Sequence, residues 1–312
     1  MTDDRYRSPL GTRYASPAMQ RLWGERHRIG MWRRVWLALA ETERELALEI
    51  PAAALDQMRA HLDDADLEAA AEYERKFRHD VMAHVHHFGD QAPAARGIIH
   101  LGATSAFVTD NTDVLVIRAG LQLLLGRLLK VLEALTGFAR QHAALPCLAY
   151  THFQPAQLTT VGKRATLWMQ DFALDVEELV HRLEQLRLRG CKGTTGTQAS
   201  FLELFRGDHQ KVRQLERRIA ERLGLPRVYP VTGQTYTRKG DSVVLDLLSG
   251  VAQSAAKMAT DLRLLQHEGE LLEPFEPDQI GSSAMAYKRN PMRAERITGL
   301  ARFVISLQAN TA

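Results

Sequence analysis

The sequence predicts an all-α protein built around a bundle of long helices. Apolar residues recur three and four positions apart over residues 114–135, 167–186 and 244–265, the spacing that places them on one face of a helix. Alternation of apolar and polar residues, the pattern of a half-buried strand, is nearly absent. Helices this long and leucine-rich usually bury a face against partner subunits as well as against their own chain.

Composition places the chain among globular proteins. Its 312 residues, 45% of them hydrophobic, can bury a large core and fit two domains better than one. Forty Lys and Arg against 37 Asp and Glu leave a net charge of +3, and the basic residues are scattered, so charge does not indicate nucleic-acid binding. Two cysteines, Cys147 and Cys191, imply no disulfide framework and fit a reducing compartment.

No targeting or membrane segment is expected. The charged start, residues 1–7, lacks the apolar run of a secretory signal. Arg118, Arg127 and Lys130 interrupt the most apolar stretch, residues 114–135, which argues against a membrane span. The expected location is the cytoplasm.

The N-terminal third, residues 1–104, is predicted to form a small helical domain. Proline and glycine punctuate residues 1–30, which are expected to be irregular, and helical periodicity follows over residues 31–48 and about 64–88. The later pattern contains Arg78-His79-Asp80 and a cluster of three histidines, His84, His86 and His87. Because that cluster lacks established metal-ligand spacing, we expect no metal site and assign it to the surface or an interface.

Residues 105–312 are predicted to form the long-helix bundle. The apolar run at residues 98–105 is expected to be a linker entering the core. Candidate caps for the first long helix follow it: Asp110, Asn111 and Thr112.

The later helices have their own start and stop signals. The second long helix is expected to begin after Pro155 and to stop at Gly190. A shorter helix has Asp208 near its start and Gly224 past its end, and the last long pattern covers residues 241–268.

The segment from Gly281 to Pro291, Gly-Ser-Ser-Ala-Met-Ala-Tyr-Lys-Arg-Asn-Pro, carries the most chemistry. Gly281 permits backbone angles closed to other residues, and Pro291 disfavours helical angles at Asn290, so we predict an exposed, hinged loop. Ser282 is a poor base at its normal acidity. It can accept a proton only if Lys288 and backbone amides favour the alkoxide and closure of the loop excludes water.

A histidine precedes the second long helix in the segment Thr151-His152-Phe153-Gln154-Pro155-Ala156-Gln157. A non-helical step of this kind directs the imidazole of His152 toward a cleft, and its titration range suits proton transfer near neutral pH. Taken alone, a hydrogen-bonded structural histidine is the commoner interpretation.

The segment Lys192–Ser200 superficially resembles a phosphate-binding loop. It lacks the Gly-Lys-Ser/Thr ending and follows a helix instead of a strand, so a nucleoside-triphosphate site is not expected.

Taken together and in order, these motifs resemble those of the fumarase/aspartase superfamily. The loop matches its signature Gly-Ser-Ser-x-Met-Pro-x-Lys-x-Asn-Pro except for Ala286 at the proline, and the histidine segment is similar to its Thr-His-x-Gln-x-Ala-Gln motif. The resemblance runs from Tyr6 to Arg296. It implies a fumarase/aspartase-like all-α fold without the C-terminal helical domain of the superfamily, a homotetramer whose sites draw on three subunits, and no metal or organic cofactor.

The resemblance also implies roles for individual residues. Ser282 corresponds to the general base and His152 to the general acid, while Lys288 and Asn290 would stabilise the carbanion. His79 would contact the substrate. The other implied substrate contacts are Arg13, Tyr14, Arg78, Asp80, Thr104, Ser105, Thr151, Gln234, Ser283 and Arg296.

The implied reaction is the β-elimination of fumarate from an anionic succinylated purine ribotide, because Tyr287–Arg293 and Gly193–Gln198 resemble the superfamily members that act on such substrates. Two alternatives stay open. One is another superfamily lyase, such as argininosuccinate lyase or fumarase. The other is a weak or inactive helical scaffold, favoured because the chain ends before the segment whose arginines bind the substrate phosphate in relatives.

Two departures from the superfamily pattern affect the expected activity. Ala286 removes a backbone restraint worth about 0.4 to 1 kcal/mol where proline suits the site, so we expect a more mobile loop. Because of the early ending, we expect the 312-residue chain alone to be weak or inactive.

Overall fold

A computed structural model of the chain describes residues 6–311, so the charged start at residues 1–5 lies outside the described part. The mostly helical fold predicted from the sequence is confirmed. In chain order the elements are a π-helical turn Leu10–Tyr14, α1 Pro17–Leu22, α2 Glu25–Glu45, α3 Ala52–Ala60, α4 Leu67–Phe77, α5 Asp80–Gln91, a 3-10 turn Pro93–Ala95, α6 Ser105–Gln141, β1 Pro146–Thr151, β2 Gln154–Thr160, α7 Val161–Gln185, α8 Ala199–Leu204, α9 His209–Arg222, α10 Lys239–His267, α11 Met292–Leu307 and a 3-10 turn Gln308–Thr311.

The described residues divide into two compact units. The first contains the chain up to Leu123 together with Gln185–Thr237, and the second contains Leu124–Glu184 together with the chain from Arg238 onward. The division into a domain at residues 1–104 and a bundle at residues 105–312 stays a prediction. None of the helices within residues 6–311 has a stretch both long and apolar enough to cross a bilayer.

The core of the first unit forms around α2. Trp32, Val35, Trp36 and Leu39 on this helix are almost completely buried, and the Trp36 ring stacks on Phe88 of α5 with 6.3 Å between centroids. Burying side chains of this size contributes about 1.5–3 kcal/mol each, so this apolar face contributes strongly to the stability of the unit.

Two predictions for the N-terminal region are wrong. The stretch predicted to be irregular contains α1 and the start of α2, because Ser16 caps α1 by accepting from the Met19 N–H and Gly24 allows α2 to begin directly afterwards. The single helical pattern at residues 64–88 is two helices. Arg78 ends α4 in a left-handed conformation with φ 56°, and the His79 side chain caps α5.

The three predicted caps of the first long helix lie inside it, because α6 begins at Ser105. Asp110, Asn111 and Thr112 are buried. The Asp110 Oδ2 accepts from the Tyr236 N–H at 2.8 Å, and the Asn111 Oδ1 accepts from the Gly190 N–H at 3.0 Å. Asp110 and Asn111 therefore stabilise neighbouring loops instead of a helix end.

The surface assignment of the histidine cluster is also wrong for two of its members. His84 and His87 are buried, and the His84 ring packs edge-on against Trp32 at 5.5 Å. Burial lowers the pKa of His84 to about 4 and also lowers the pKa of His87. His86 is half-buried and stacks on Tyr73.

The second unit contains long helices and one β-hairpin, β1 with β2, which the sequence did not predict. Thr151 pairs with Gln154, so His152 and Phe153 form the two-residue turn, with φ of 54° and 59°. Positive φ at both central residues is the geometry of a type I′ hairpin turn. Because the hairpin occupies this stretch, α7 begins at Val161 instead of after Pro155, and it ends at Gln185 instead of at Gly190.

Other predicted elements are confirmed. Helix α9 begins after Asp208, whose carboxylate accepts from the Gln210 and Lys211 N–H groups, and it ends before Gly224, which has φ 69°. Helix α10 covers most of the last long pattern at residues 241–268.

Candidate active site

Four of the predicted substrate contacts in the first unit are joined in pairs by hydrogen bonds. The Gln234 Nε2 donates to the Thr104 Oγ1 at 3.3 Å, and the His79 Nε2 lies 3.5 Å from the Ser105 Oγ. A turn at residues 96–102 lies two residues before α6, and Gly102 has φ 66° in it. Two polar pairs are therefore presented at the entry of one long helix.

His79 is oriented by its own helix. Its Nδ1 accepts from the Met82 N–H at 3.4 Å as the cap of α5, and it lies 3.5 Å from the Asp80 Oδ1. A neutral imidazole whose Nδ1 accepts a hydrogen bond carries its proton on Nε2. His79 can therefore donate from Nε2 toward Ser105 or toward a ligand that lies beside it.

The remaining predicted residues of this unit are exposed. Arg78 and Asp80 flank His79, and Arg13 and Tyr14 lie in the π-helical turn. These side chains are accessible for binding.

His152 is exposed at the tip of the hairpin and borders a cavity of about 430 Å³ in the second unit. Leu167 of α7 and Leu264 of α10 provide apolar walls, while Lys163 and Glu268 are charged residues of the lining. Thr151 is also exposed, in the strand that leads to the turn. The hairpin thus places His152 at the edge of a cavity, while its role as the general acid stays a prediction.

Three hydrogen bonds link α7 to the hairpin, to α10 and to the segment that follows α10. The Arg164 Nη1 donates to the Glu270 Oε2 and its Nη2 donates to the Leu148 carbonyl, both at 2.7 Å. The Trp168 Nε1 donates to the Asp261 Oδ2 at 2.8 Å. The position of His152 is therefore determined by partly buried polar contacts as well as by packing.

The predicted loop lies between α10 and α11 and contains the two serines. Ser282 is half-buried, whereas Ser283 and Lys288 are exposed. The Ser282 Oγ accepts from the Ala284 and Met285 N–H groups, each at 3.2 Å. Two amides donating to one oxygen favour the charged form of that oxygen, which is what a serine needs in order to act as a base.

The loop is closed at its base. The Asn290 Nδ2 donates to the Gly281 carbonyl at 2.9 Å, and the backbone of Lys288 lies so close to Gly281 that a Cβ at this position would overlap the Lys288 carbonyl. Glycine is therefore required at residue 281. Among the described residues, no hydrogen bond joins the Lys288 ammonium to Ser282, and none joins Ser282 to His152.

Arg296 lies in the first turns of α11, where its backbone is helical. Residues 6–311 contain no group of three or more His, Cys, Asp or Glu side chains placed to hold a metal ion.

Sequence reasoning missed three side chains that organise these segments. Arg189 is completely buried beneath the Gln234 segment, and Gln266 and Glu273 bind both ends of the loop that carries Ser282. No motif identifies them. Glu273 lies in an acidic stretch, and an acid of that kind is usually solvated.

Comparison with known proteins identifies the family. The profile of a family described as "Lyase" matches residues 11–306. Adenylosuccinate lyase of Saccharomyces cerevisiae is 54% identical over 307 residues, which cover 97% of this chain and 64% of that protein. Adenylosuccinate lyase of Schizosaccharomyces pombe is 51% identical, with 98% and 64% covered. The chain thus spans about 64% of the length of these relatives.

Solved structures of the same fold give a consistent result. The 3-carboxy-cis,cis-muconate lactonizing enzyme of Pseudomonas putida is 26% identical with a TM-score of 0.81, covering 96% of this chain and 66% of that one. Fumarate lyase of Mesorhizobium sp. BNC1 has a TM-score of 0.78 at 24% identity, covers 95% of this chain and 65% of that one, and supports the fold alone. The chain therefore belongs to the lyase family, with the fold of the fumarase/aspartase superfamily that its motifs resemble.

Proposed function

We propose that this chain carries the catalytic segments of an adenylosuccinate lyase, a carbon–nitrogen lyase of purine nucleotide synthesis. The reaction eliminates fumarate from adenylosuccinate to give AMP, and from the succinylated aminoimidazole carboxamide ribotide to give the free carboxamide. The proposal rests on the observation that the Ser282 Oγ, on an exposed loop, accepts hydrogen bonds from two backbone N–H groups. The identity of 54% to a protein of that name supports the choice of substrate.

The proposed chemistry requires one proton to leave carbon and one to reach nitrogen. The Ser282 alkoxide takes the proton from the carbon next to a succinyl carboxylate, and Lys288 and Asn290 stabilise the carbanion that forms. The electron pair then forms the fumarate double bond while the carbon–nitrogen bond breaks. His152 donates a proton to the leaving nitrogen, so atoms and charge balance between substrate and the two products.

The substrate would be held by basic and polar groups of the first unit. His79 with its Nε2 proton, Thr104 and Gln234 offer donors and acceptors to a ribotide, and Arg13 and Arg78 offer charge to an anionic group. Complete sites in the proposal arise in a homotetramer, to which three chains contribute segments. We place the protein in the cytoplasm, and the proposal includes no cofactor.

An absorbance assay on the full-length protein tests the proposal. Turnover of adenylosuccinate, but not of argininosuccinate or malate, is the expected result. Turnover of argininosuccinate alone would assign the chain to a different superfamily lyase. A folded tetramer without any turnover would favour the second candidate, a non-catalytic helical scaffold on the same fold.

A further inference from the structure

One buried side chain holds two separate segments of the first unit. Arg189 is 0% exposed, and its guanidinium donates to four backbone carbonyls: from Nε to Gln234 at 2.6 Å, from Nη1 to Lys192 at 2.6 Å and to Gly190 at 3.4 Å, and from Nη2 to Gly193 at 2.9 Å. Gln234 lies 45 positions along the chain from Arg189. The guanidinium therefore connects the segment 190–198 to the segment 232–236.

These two segments touch without any spare room. A Cβ at Gly196 would overlap the Thr232 carbonyl, and Gly196 has φ 81°, a conformation that favours glycine. Within the first segment, the Gly193 N–H donates to the Thr197 carbonyl at 2.6 Å. A small movement of either segment would consequently displace the other.

The same segments support the predicted substrate contacts. The side chain of Gln234, whose carbonyl Arg189 binds, donates to Thr104 at 3.3 Å. The Tyr236 N–H donates to the Asp110 Oδ2 at 2.8 Å, and the Ser200 Oγ donates to the Gly102 carbonyl at 2.6 Å. The Gly190 N–H donates to the Asn111 Oδ1 of α6 at 3.0 Å, so both segments are bonded to α6, the helix that begins at Ser105 directly after Thr104.

The guanidinium group of arginine is suited to connecting two backbone segments. Its planar fork presents donors in fixed directions, so one group satisfies carbonyls from two segments at once, whereas a lysine ammonium is a compact point charge on a flexible stem. Burial of the guanidinium opposes its charge and lowers the pKa of Arg189, while Asp110 and Glu216 act in the opposite direction. A side chain present only to fill space would not require a buried charge.

We infer that Arg189 is a positioning residue: it sets the backbone at Gln234 and thereby the geometry with which Gln234 and Thr104 receive the substrate. The role in catalysis rests on the proposed function. The positioning of the segments does not, and it can be measured separately.

The chain offers a matched control in Arg33, the other almost fully buried arginine among the described residues of the first unit, which is 1% exposed. Arg33 donates to the Gln91 Oε1 at 2.7 Å and pairs with Asp64 at 3.1 Å. Arg189→Lys and Arg33→Lys both exchange a buried guanidinium for an ammonium, but only Arg189 binds the Gln234 segment. Amide hydrogen exchange of Gly193 and Tyr236 then reports the positioning, with global unfolding measured in parallel.

Faster exchange of these two amides in Arg189→Lys, by about tenfold or more beyond any change in global stability, is the expected result. Arg33→Lys should leave them at the wild-type rate relative to global stability. Unchanged local exchange in Arg189→Lys, or equal acceleration in both variants, would overturn the inference.

A double-mutant cycle tests the link to substrate in the full-length protein. Arg189→Lys and Gln234→Ala should each raise KM for adenylosuccinate more than they lower kcat, and the double variant should be little worse than Gln234→Ala alone, because Arg189 acts through Gln234. Additive effects on KM would refute that route. If the wild type turned over nothing, the proposed function would fail, and the exchange rates alone would decide the inference about Arg189.

Discussion

Ser282 and Glu43 are polar side chains that differ in their hydrogen-bond partners. The Ser282 Oγ is provided with two amide donors, whereas Glu43 is 0% exposed and neither of its carboxyl oxygens has a hydrogen-bond partner among the described residues. Burial raises the pKa of Glu43 to about 9, so its carboxyl group is neutral at pH 7.

The free energy of unfolding should therefore fall as pH rises between the two pKa values of Glu43. In that range the unfolded chain, with a carboxyl pKa of 4.5, releases a proton that the folded chain retains until about pH 9. The slope should approach about 1.4 kcal/mol per pH unit. Glu43→Gln should flatten it and stabilise the protein at pH 8.

Chemical denaturation at pH 5, 6, 7 and 8 measures this slope, with Glu49→Gln as the matched control. Glu49 follows the same helix and is exposed. Parallel pH dependence in wild type and Glu43→Gln would show that this carboxyl group ionises normally in the folded state.

Single residues could be predicted only where a motif marked them. The motifs located His152 and Ser282 on a turn and on a loop, which is where the structure has them. Glu43 lies in the charged run Glu41-Thr42-Glu43-Arg44-Glu45, and Arg189 lies beside Arg187. Sequence alone does not separate a buried charge from its solvated neighbours, because burial depends on which helix packs above it.

Secondary-structure elements could be predicted from the sequence where one of their faces is buried. Helices α6, α7 and α10 have strong apolar periodicity and were predicted. The β1–β2 hairpin was not predicted, because almost all of β2 is exposed and a strand without a buried face lacks the alternation of apolar and polar residues that identifies a half-buried strand. The break between α4 and α5 was missed for a related reason, since Arg78 is not a typical residue for a left-handed helix end.

The loop that carries Ser282 is anchored at both ends by one side chain at the end of α10. The Gln266 Nε2 donates to the Arg289 carbonyl at 2.9 Å, and its Oε1 accepts from the Glu273 N–H at 3.1 Å. The Glu273 carboxylate in turn accepts from the Arg293 and Ala294 N–H groups at the start of α11. Gln266 and Glu273 thus fix where the loop leaves and rejoins the helices.

Gln266→Leu should release this anchor without unfolding the helices. Because each lost hydrogen bond contributes about 0.5–1.5 kcal/mol, we expect several-fold faster proteolytic cleavage within residues 274–288. The neighbouring exposed residue His267 provides the control His267→Leu. Equal cleavage rates in Gln266→Leu and wild type would show that the loop is held by other contacts.

The long helices of the second unit leave large apolar side chains exposed. Leu129 is 50% exposed, Leu174 is 57% exposed and Phe303 is 45% exposed. Exposed apolar groups of this size on the described helices are typical of surfaces that other chains cover, which supports the proposed homotetramer. The sequence could not reveal which apolar helix faces remain exposed in the single chain. Apolar periodicity identifies the face that is buried, but not whether the same chain or another chain covers it.

Sedimentation of the full-length protein should show a four-chain species. Leu174→Glu should shift it toward smaller species, because a charge would be buried in the interface at a cost of several kcal/mol. Glu177→Gln, on the same helix and also exposed, serves as the control. A protein that sediments as a monomer at micromolar concentration would contradict the shared site.

The most direct test of the account is the steady-state elimination rate of full-length wild-type protein, Ser282→Ala and His152→Gln with adenylosuccinate as substrate. If the Ser282 oxygen takes the proton from carbon and the His152 ring protonates the leaving nitrogen, each substitution should lower kcat by about 10²–10⁴-fold while the variants fold and assemble normally. Turnover at the wild-type rate in either variant would contradict the proposed roles.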